Sequence, residues 1–179
     1  DKVVSDDIRM IYAGLLGHAQ GVLKIIQNVD FEKLNIFLDI YGDGYERDGI
    51  VKQIASSHYV KYKGVVSREE LIHKYEDYTI ALVPLSVPIY GAVPSKIYEL
   101  INNHIPIFYC GSGEASKLIL DNKIGLVVGS IDYKSMEDKL KALTLDSSVI
   151  SEYRTNSIYY SYNGFNFNGQ FKQLIKFIE

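Results

Sequence analysis

Short apolar runs alternate along this chain with stretches whose apolar residues recur every three or four positions. Residues 7–13 read as a first strand that ends at Gly14, and between residues 18 and 29 Val22, Ile25, Ile26 and Val29 follow helical spacing. Ile36, Leu38 and Ile40 alternate in a second strand, stopped by the turn signal Gly42-Asp43-Gly44, and Ile50, Val51 and Ile54 mark the next helix. Residues 59–62 form a third strand ending at Gly64. Ser67-Arg68-Glu69-Glu70 then has the form of a capping box, with Leu71, Ile72 and Tyr75 on the helix face behind it. Residues 79–83 are a continuous apolar strand halted by Pro84. After a loop holding Pro88, Gly91 and Pro94, a helix starts near Ser95 with Ile97, Leu100 and Ile101 facing inward. A fifth strand spans 105–110, Gly111-Ser112-Gly113 opens a helix carrying Ala115, Leu118 and Ile119, and a sixth strand spans 125–128. Met136, Leu140 and Leu143 face inward from a sixth helix, and residues 147–179 read as one or two helices interrupted near Asn163-Gly164.

Strands alternating with helices in this way specify a parallel sheet covered on both faces. With right-handed crossovers it becomes a doubly wound, Rossmann-like six-stranded α/β domain over residues 1–146, followed by C-terminal helices over 147–179. In such sheets ligands bind beyond the carboxyl ends of the strands, where the strand order reverses. The loops that follow the strands are therefore where chemistry is sought.

Composition narrows the classes. With 179 residues, 47% hydrophobic and 23% charged, the chain is an ordinary globular domain rather than a disordered or fibrous one. No apolar run reaches the roughly 18 residues of a membrane helix. A net charge of -3 gives no electrostatic footprint for nucleic acid. Cys110 is the only cysteine, which rules out an internal disulfide and a cysteine-based zinc site and fits a reducing compartment. His18, His58, His73 and His104 form no i,i+4 pair, so no metal site is expected. The chain starts at Asp1 without an initiator Met or a signal peptide, and reads as a segment of a longer protein.

Three loops hold unusual residues. Residues 14–21, GLLGHAQG, place Gly14, Gly17 and His18 between the first strand and first helix. Glycine permits close backbone approach and a helix N-terminus offers free amides, a combination suited to phosphate; tight turns alone explain the same glycines. Residues 42–47 carry Arg47, with Lys52 beyond it. Placed at the start of the second helix, both either neutralise a diphosphate or decorate a solvated face. Residues 91–100, GAVPSKIYEL, put Pro94 and Ser95 at a helix start and Glu99 one turn in. A carboxylate there either accepts hydrogen bonds from the vicinal hydroxyls of a ribose or merely complements the helix dipole. Lys96 and the first amides of that helix face phosphates in the first reading. Glu114 is a weaker candidate for sugar hydroxyls, and Cys110 reads as a small buried residue.

The order of elements, with the segments IYAGLLGHAQGVLKII, LDIYGDGYE, VKYKGVVSREELIHKYED, IALVPL and GAVPSKIYELINNHIPIFYCGSGEASKLI, resembles the C-terminal half of a retaining glycosyltransferase of the GT-B fold. It is most similar to family 4, in particular its bacterial polysaccharide-assembly branch with a Pro-Ser-Lys-x-Tyr-Glu motif. The resemblance implies that this domain binds the nucleotide-sugar donor while a separate N-terminal domain holds the acceptor. Glu99 matches the second carboxylate of the family's Glu-x7-Glu motif, which implies the ribose role. Gly91 stands where the first is usual, so the amides of Gly91, Ala92 and Val93 are left to hold the sugar or diphosphate. Gln20 stands where a basic residue often precedes the glycine at Gly21, which shifts the diphosphate role toward Arg47 and Lys52. The base is implied to lie against Gly64, Val65 and Val66, with uracil the usual choice in this branch.

The resemblance thus implies transfer of a sugar from a UDP-sugar to a glycan or lipid-linked acceptor in polysaccharide biosynthesis, such as capsule or O-antigen, by a chain inactive on its own. It further implies no prosthetic group, no required metal, and a cytoplasmic enzyme attached peripherally, through its other half, at the inner face of the plasma membrane. Tyr159, Tyr160, Tyr162, Phe165, Phe167 and Phe171 pack either on this domain or toward the N-terminal one. Two other classes share parts of the pattern. A nucleotide-sugar epimerase half-domain has the same ribose-binding carboxylate, and a flavodoxin-like module has the same sheet, although Gly14 and Gly64 occupy strand ends where a receiver needs acidic residues.

Overall fold

The strands of this protein carry apolar side chains on both faces, and each face is closed by helices. The structure is a computed structural model that describes residues 7–87, 91 and 93–164. Its elements run β1 (Ile8–Ala13), α1 (Val22–Asn28), α2 (Phe31–Leu34), β2 (Ile36–Tyr41), α3 (Arg47–Gln53), β3 (Val60–Gly64), α4 (Arg68–Lys74), a 3₁₀ turn (Tyr75–Asp77), β4 (Ile80–Pro84), α5 (Ser95–Asn102), β5 (Ile107–Cys110), α6 (Glu114–Asp121), β6 (Gly125–Val128), α7 (Tyr133–Leu145) and α8 (Ser148–Asn163). The six strands pair in parallel in the order β3-β2-β1-β4-β5-β6. The expected doubly wound α/β fold is therefore what the chain adopts.

Because successive side chains point to opposite faces, Met10, Tyr12, Leu38, Ile40, Leu82 and Phe108 pack with α1, α3 and α7 through Val22, Ile50 and Leu140. On the other face Ile11, Tyr41, Val83 and Tyr109 pack with α5 and α6 through Ile97, Ile101 and Ile119. After β1 the chain builds outward to β3, then returns to lay β4 on the opposite side of β1. The strand order reverses at the β1–β4 boundary, and a crevice opens there at the carboxyl ends. Helix α8 packs back on this domain: Arg154 donates to the Tyr78 carbonyl at 3.1 Å, and Tyr160 lies against the α5–α6 side of the core.

Several local expectations shift. The first helix begins only at Val22, because Gly21 before it sits at φ 66 and residues 18–20 form a turn. The pattern missed α2, a single turn started by Asp30, whose side chain accepts from the Lys33 amide at 3.0 Å. Val51 and Ile72 lie on the outer faces of their helices and are exposed. Strand β4 includes Pro84, and β5 starts at Ile107 rather than 105, after Pro106. Pro88, Phe165, Phe167 and Phe171 lie outside the described residues.

The capping box at α4 is present in full: the Glu70 amide donates to Ser67 Oγ at 3.2 Å and the Ser67 amide to Glu70 Oε2 at 3.0 Å. Ser67→Ala is expected to lower stability by about 0.5–2 kcal/mol, read as a shift in the urea midpoint at unchanged slope.

Candidate functional site

The loops beyond β1, β2 and β3 are stitched together by their own backbones. The Gly14 amide donates to the Tyr41 carbonyl (3.1 Å), Leu16 to Asp43 (2.9 Å), Gly42 to Gly64 (2.9 Å) and Glu46 to Leu16 (2.9 Å). Tyr62 adds its hydroxyl to the Gly42 carbonyl at 2.9 Å, and Tyr12 to the Leu15 carbonyl at 2.6 Å. Burial raises the Tyr12 pKa, with the Glu46 charge adding to it, so the phenol stays a donor. The floor of the crevice is thus held by main chain rather than by long side chains.

On this floor lies a cavity of about 290 Å³ lined by Ala13, Gly14, Tyr41, Gly42, Val65, Val66, Arg68, Leu71, Lys96 and Glu99. Glu99 reaches it from the second turn of α5, its side chain 19% exposed. Tyr75, buried beneath, donates its hydroxyl to Glu99 Oε1 at 2.6 Å, and Lys96 Nζ approaches the same oxygen at 2.9 Å. Both bonds fall on Oε1, leaving Oε2 to accept from a ligand. Burial is the largest single influence on this carboxyl and opposes its ionisation. The hydrogen bonds from Tyr75 and Lys96 and the charges of Lys96 and Arg68 together outweigh it, so its pKa is lowered and Glu99 is an anion at neutral pH. Burial, followed by the bond to Glu99, drives the Tyr75 pKa upward.

A second, more apolar cavity of about 210 Å³ adjoins the first at the β1–β4 boundary, with Ala13, Gly14 and Lys96 in both walls. Leu15, Gln20, Pro84, Leu85 and Pro94 complete much of its lining. Pro94, not Ser95, is the N-cap of α5; Ser95 is the first helical residue and makes no side-chain cap bond. In the first turn of α5 the Ile97 amide donates to the Pro94 carbonyl at 3.0 Å, and the amides of Ser95 and Lys96, with no intrahelical acceptor, stand at the carboxyl ends of the strands. Gly91 sits exposed at φ 72 in the loop before α5, Val93 packs partly against the core, and Ala92 lies outside the described residues.

Of the residues singled out in the sequence, Gly14, Val65, Val66, Lys96 and Glu99 therefore meet around one cavity, with Gly64 adjacent at the end of β3. Gly17, His18, Arg47 and Lys52 line neither cavity. Arg47 is committed to Asp48 (2.9 Å) and Asp43 (3.4 Å), and the Asp48 hydrogen bond is the main reason its pKa is raised. Lys52 lies in the last turn of α3, not at its start, and is exposed. His18 keeps a 73% exposed ring but hands Nδ1 to Glu46 Oε1 at 2.6 Å. Glu46 is itself buried at the start of α3, with Oε2 left without a hydrogen-bond partner. Glu114 is the first residue of α6, and burial pushes the Cys110 thiol up to about 12.

Sequence reasoning missed Arg68, Tyr75, Tyr41 and Glu46. Arg68 was absorbed into the capping box, yet its helix begins four residues past the end of β3, which aims its first turn at the crevice. Tyr75 looked like one more core position. Among the described residues no group of three or more His, Cys, Asp or Glu is placed to hold a metal ion, and no helix is long and apolar enough to cross a membrane.

Comparison with known proteins gives this geometry a context. No curated protein matches the sequence. Among solved structures, the chain superposes on a mutant of TarM from S. aureus, in a complex that includes UDP, with TM-score 0.77 and 16% identity, covering 98% of this chain and 36% of TarM. It is equally similar to Alr3699/HepE from Anabaena in complex with UDP and glucose, with TM-score 0.77 and 14% identity, covering 98% of this chain and 49% of that one. The C-terminal domain of a glycosyl transferase group 1 family protein from Francisella tularensis, LpcC, matches with TM-score 0.66 and 18% identity over 84% of this chain and 82% of its own. The chain spans little more than a third of TarM and about half of the Anabaena protein. These likenesses are likenesses of fold. Residues 2–164 match the family model for glycosyl transferases group 1, and the chain belongs to that family.

Proposed function

We propose that this chain is the donor-binding half of a retaining, family 4-like glycosyltransferase that takes its sugar from a UDP-sugar. The observation that carries the reading is Glu99: a charged carboxylate in the wall of a 290 Å³ cavity at the strand ends, with Oε1 held by Tyr75 and Lys96 and Oε2 taking neither bond. The ribose hydroxyls donate to Oε2, and the base lies along Val65 and Val66 near Gly64. The diphosphate crosses toward Gly14 and the first turn of α5, where Lys96 reaches both cavities. The amides of α5 and the Lys96 ammonium oppose charge developing on the departing diphosphate. The apolar second cavity, walled in part by Leu15, Leu85 and Pro94, receives the sugar. Arg68 supplies the cation that Gln20, a neutral side chain, does not. Arg47, Lys52, Gly17 and His18 carry no direct part in this reading.

In the complete enzyme a glycan or lipid-linked acceptor approaches from an N-terminal domain, and residues 147–179 lead toward it. A role in polysaccharide biosynthesis at the cytoplasmic face of a membrane fits the resemblance. The titration of UDP, GDP and ADP into the chain by calorimetry is the test. UDP is expected to bind with saturable heat and to outcompete the other two; failure of all three to bind, or a preference for ADP, overturns the assignment. Inversion of the anomeric configuration in the product of the full enzyme overturns the retaining mechanism alone.

A further inference from the structure

Away from the crevice, a third cavity of about 270 Å³ opens on the β2–β3 side of the sheet, lined by Asp7, Arg9, Phe37, Asp39, Tyr59, Lys61 and Lys63. Its cations come from β1 and β3, the two strands that flank β2, and Lys61 lies opposite Asp39 in register. Asp39 is buried in the floor and takes its close hydrogen bond from Tyr78, at 2.7 Å. Arg9 and Lys63 stand back from the same oxygen at 3.7 and 3.6 Å, outside hydrogen-bond distance, and are 47% and 38% exposed. Lys61 pairs with no carboxylate among the described residues. Asp39 thus gathers cations without consuming their donors. Arg9 is steadied by the Tyr78 ring, whose centroid lies 5.6 Å from its guanidinium carbon. Beside them Phe37 and Tyr59 stack at 5.1 Å and 24° and make an aromatic wall.

We propose that this groove is a binding site for a phosphomonoester whose organic part carries a ring. The five charged side chains sum to +1 on a chain whose total is -3, so the groove is a local positive well. An Arg fork and two Lys ammoniums answer a dianionic, multi-oxygen acceptor better than a single carboxylate. A cavity of about 150 Å³ holds a benzene ring, so 270 Å³ accommodates a ring against Phe37 and Tyr59 together with its phosphate. The site is separate from the donor cavity and shares no lining residue with it. Its floor nevertheless touches that cavity through hydroxyls: Asp39 accepts from Tyr78, and Tyr78 meets the Tyr41 hydroxyl at 2.9 Å, with Tyr41 in the donor-cavity wall.

The chemistry is shared by two sources, a soluble ring phosphate and a phosphorylated lipid headgroup, and the test separates them. In a nitrogen-15 NMR titration of the chain, phenyl phosphate is expected to shift the amides of Arg9, Phe37, Lys61 and Lys63 saturably, and more tightly than inorganic phosphate. The pair Lys61→Glu and Lys63→Glu, both at exposed positions of an edge strand, is expected to weaken this about tenfold or more. Lys61→Gln alone, which removes one cation without reversing its charge, is expected to weaken it by a smaller factor. In a second arm, sedimentation with phosphatidylcholine vesicles with and without phosphatidylinositol 4-phosphate, whose headgroup is a ring bearing a phosphomonoester, reads the lipid source: binding that needs this lipid and is lost in the double variant supports a headgroup ligand. Saturable shifts by phenyl phosphate without vesicle binding support a soluble one. No saturable shift at these amides together with no dependence on phosphatidylinositol 4-phosphate, or shifts undiminished in the double variant, overturns the site.

Discussion

Glu99→Gln is expected to reduce UDP affinity about 30- to 140-fold while the domain stays folded. The substitution keeps the shape of the side chain and one carbonyl acceptor but removes the charge that makes a diol a strong ligand. Hydrogen bonds to a charged acceptor are worth about 1.5–3 kcal/mol each, so losing the charge where the ribose hydroxyls donate to Oε2 costs about 2–3 kcal/mol, which is the stated range of affinity. The amide also breaks the ion pair with Lys96, 2.9 Å away, and frees the ammonium to move from its present position between the two cavities. Arg47→Ala is the matched control. Its guanidinium is held by Asp43 and Asp48 outside both cavities, and its removal is expected to leave UDP affinity within about threefold. Calorimetry on the two variants, with thermal melts to confirm folding, reads the difference. Equal affinities for Glu99→Gln and the unaltered chain would remove the ribose role, and with it the main support for a donor site here.

Much of this architecture was legible because two periodicities carry it. Alternation at Ile36, Leu38 and Ile40 and helical spacing at Ile97, Leu100 and Ile101 each describe one element packing on one face, and burial enforces both. The motif around Glu99 was legible for the same reason: once Pro94 fixes the helix start, the position one turn in must face the strand ends. What the sequence concealed is which polar groups pair, whether near in the chain or far apart. Arg47 looked available for phosphate because nothing in a linear reading says that Asp43 and Asp48 will reach it first. His18 looked like a loop ligand, yet its Nδ1 is taken by a carboxylate 28 positions away. Tyr75 meets Glu99 across 24 positions, and Asp39 draws Arg9 and Lys63 from two neighbouring strands. Apolar pattern encodes which face is buried; it does not encode which polar group satisfies which.

Gly42→Ala is expected to destabilise the domain by about 3–5 kcal/mol and to widen the donor cavity at the same time. Gly42 follows β2 at φ 128, a conformation that costs an L-residue about 1–3 kcal/mol. The larger part of the effect comes from what lies opposite: a β-carbon there would stand 1.8 Å from the Gly14 carbonyl oxygen, which no rotamer can relieve because the obstacle is main chain. The loop after β1 must retreat from the loop after β2, stretching the bonds from Gly14 to Tyr41 and from Leu16 to Asp43, each worth about 0.5–1.5 kcal/mol. For a domain of this size the loss corresponds to a fall in Tm of about 6–20 °C. Gly64→Ala isolates the conformational part, since Gly64 also has positive φ, 79, but open space where the β-carbon would go. It is expected to cost only about 1–2 kcal/mol. Thermal melts of the two variants therefore measure the close approach of Gly42 to Gly14 by difference; a Gly42→Ala loss no greater than that of Gly64→Ala would mean that the two loops are not in contact and that the floor of the cavity is built otherwise.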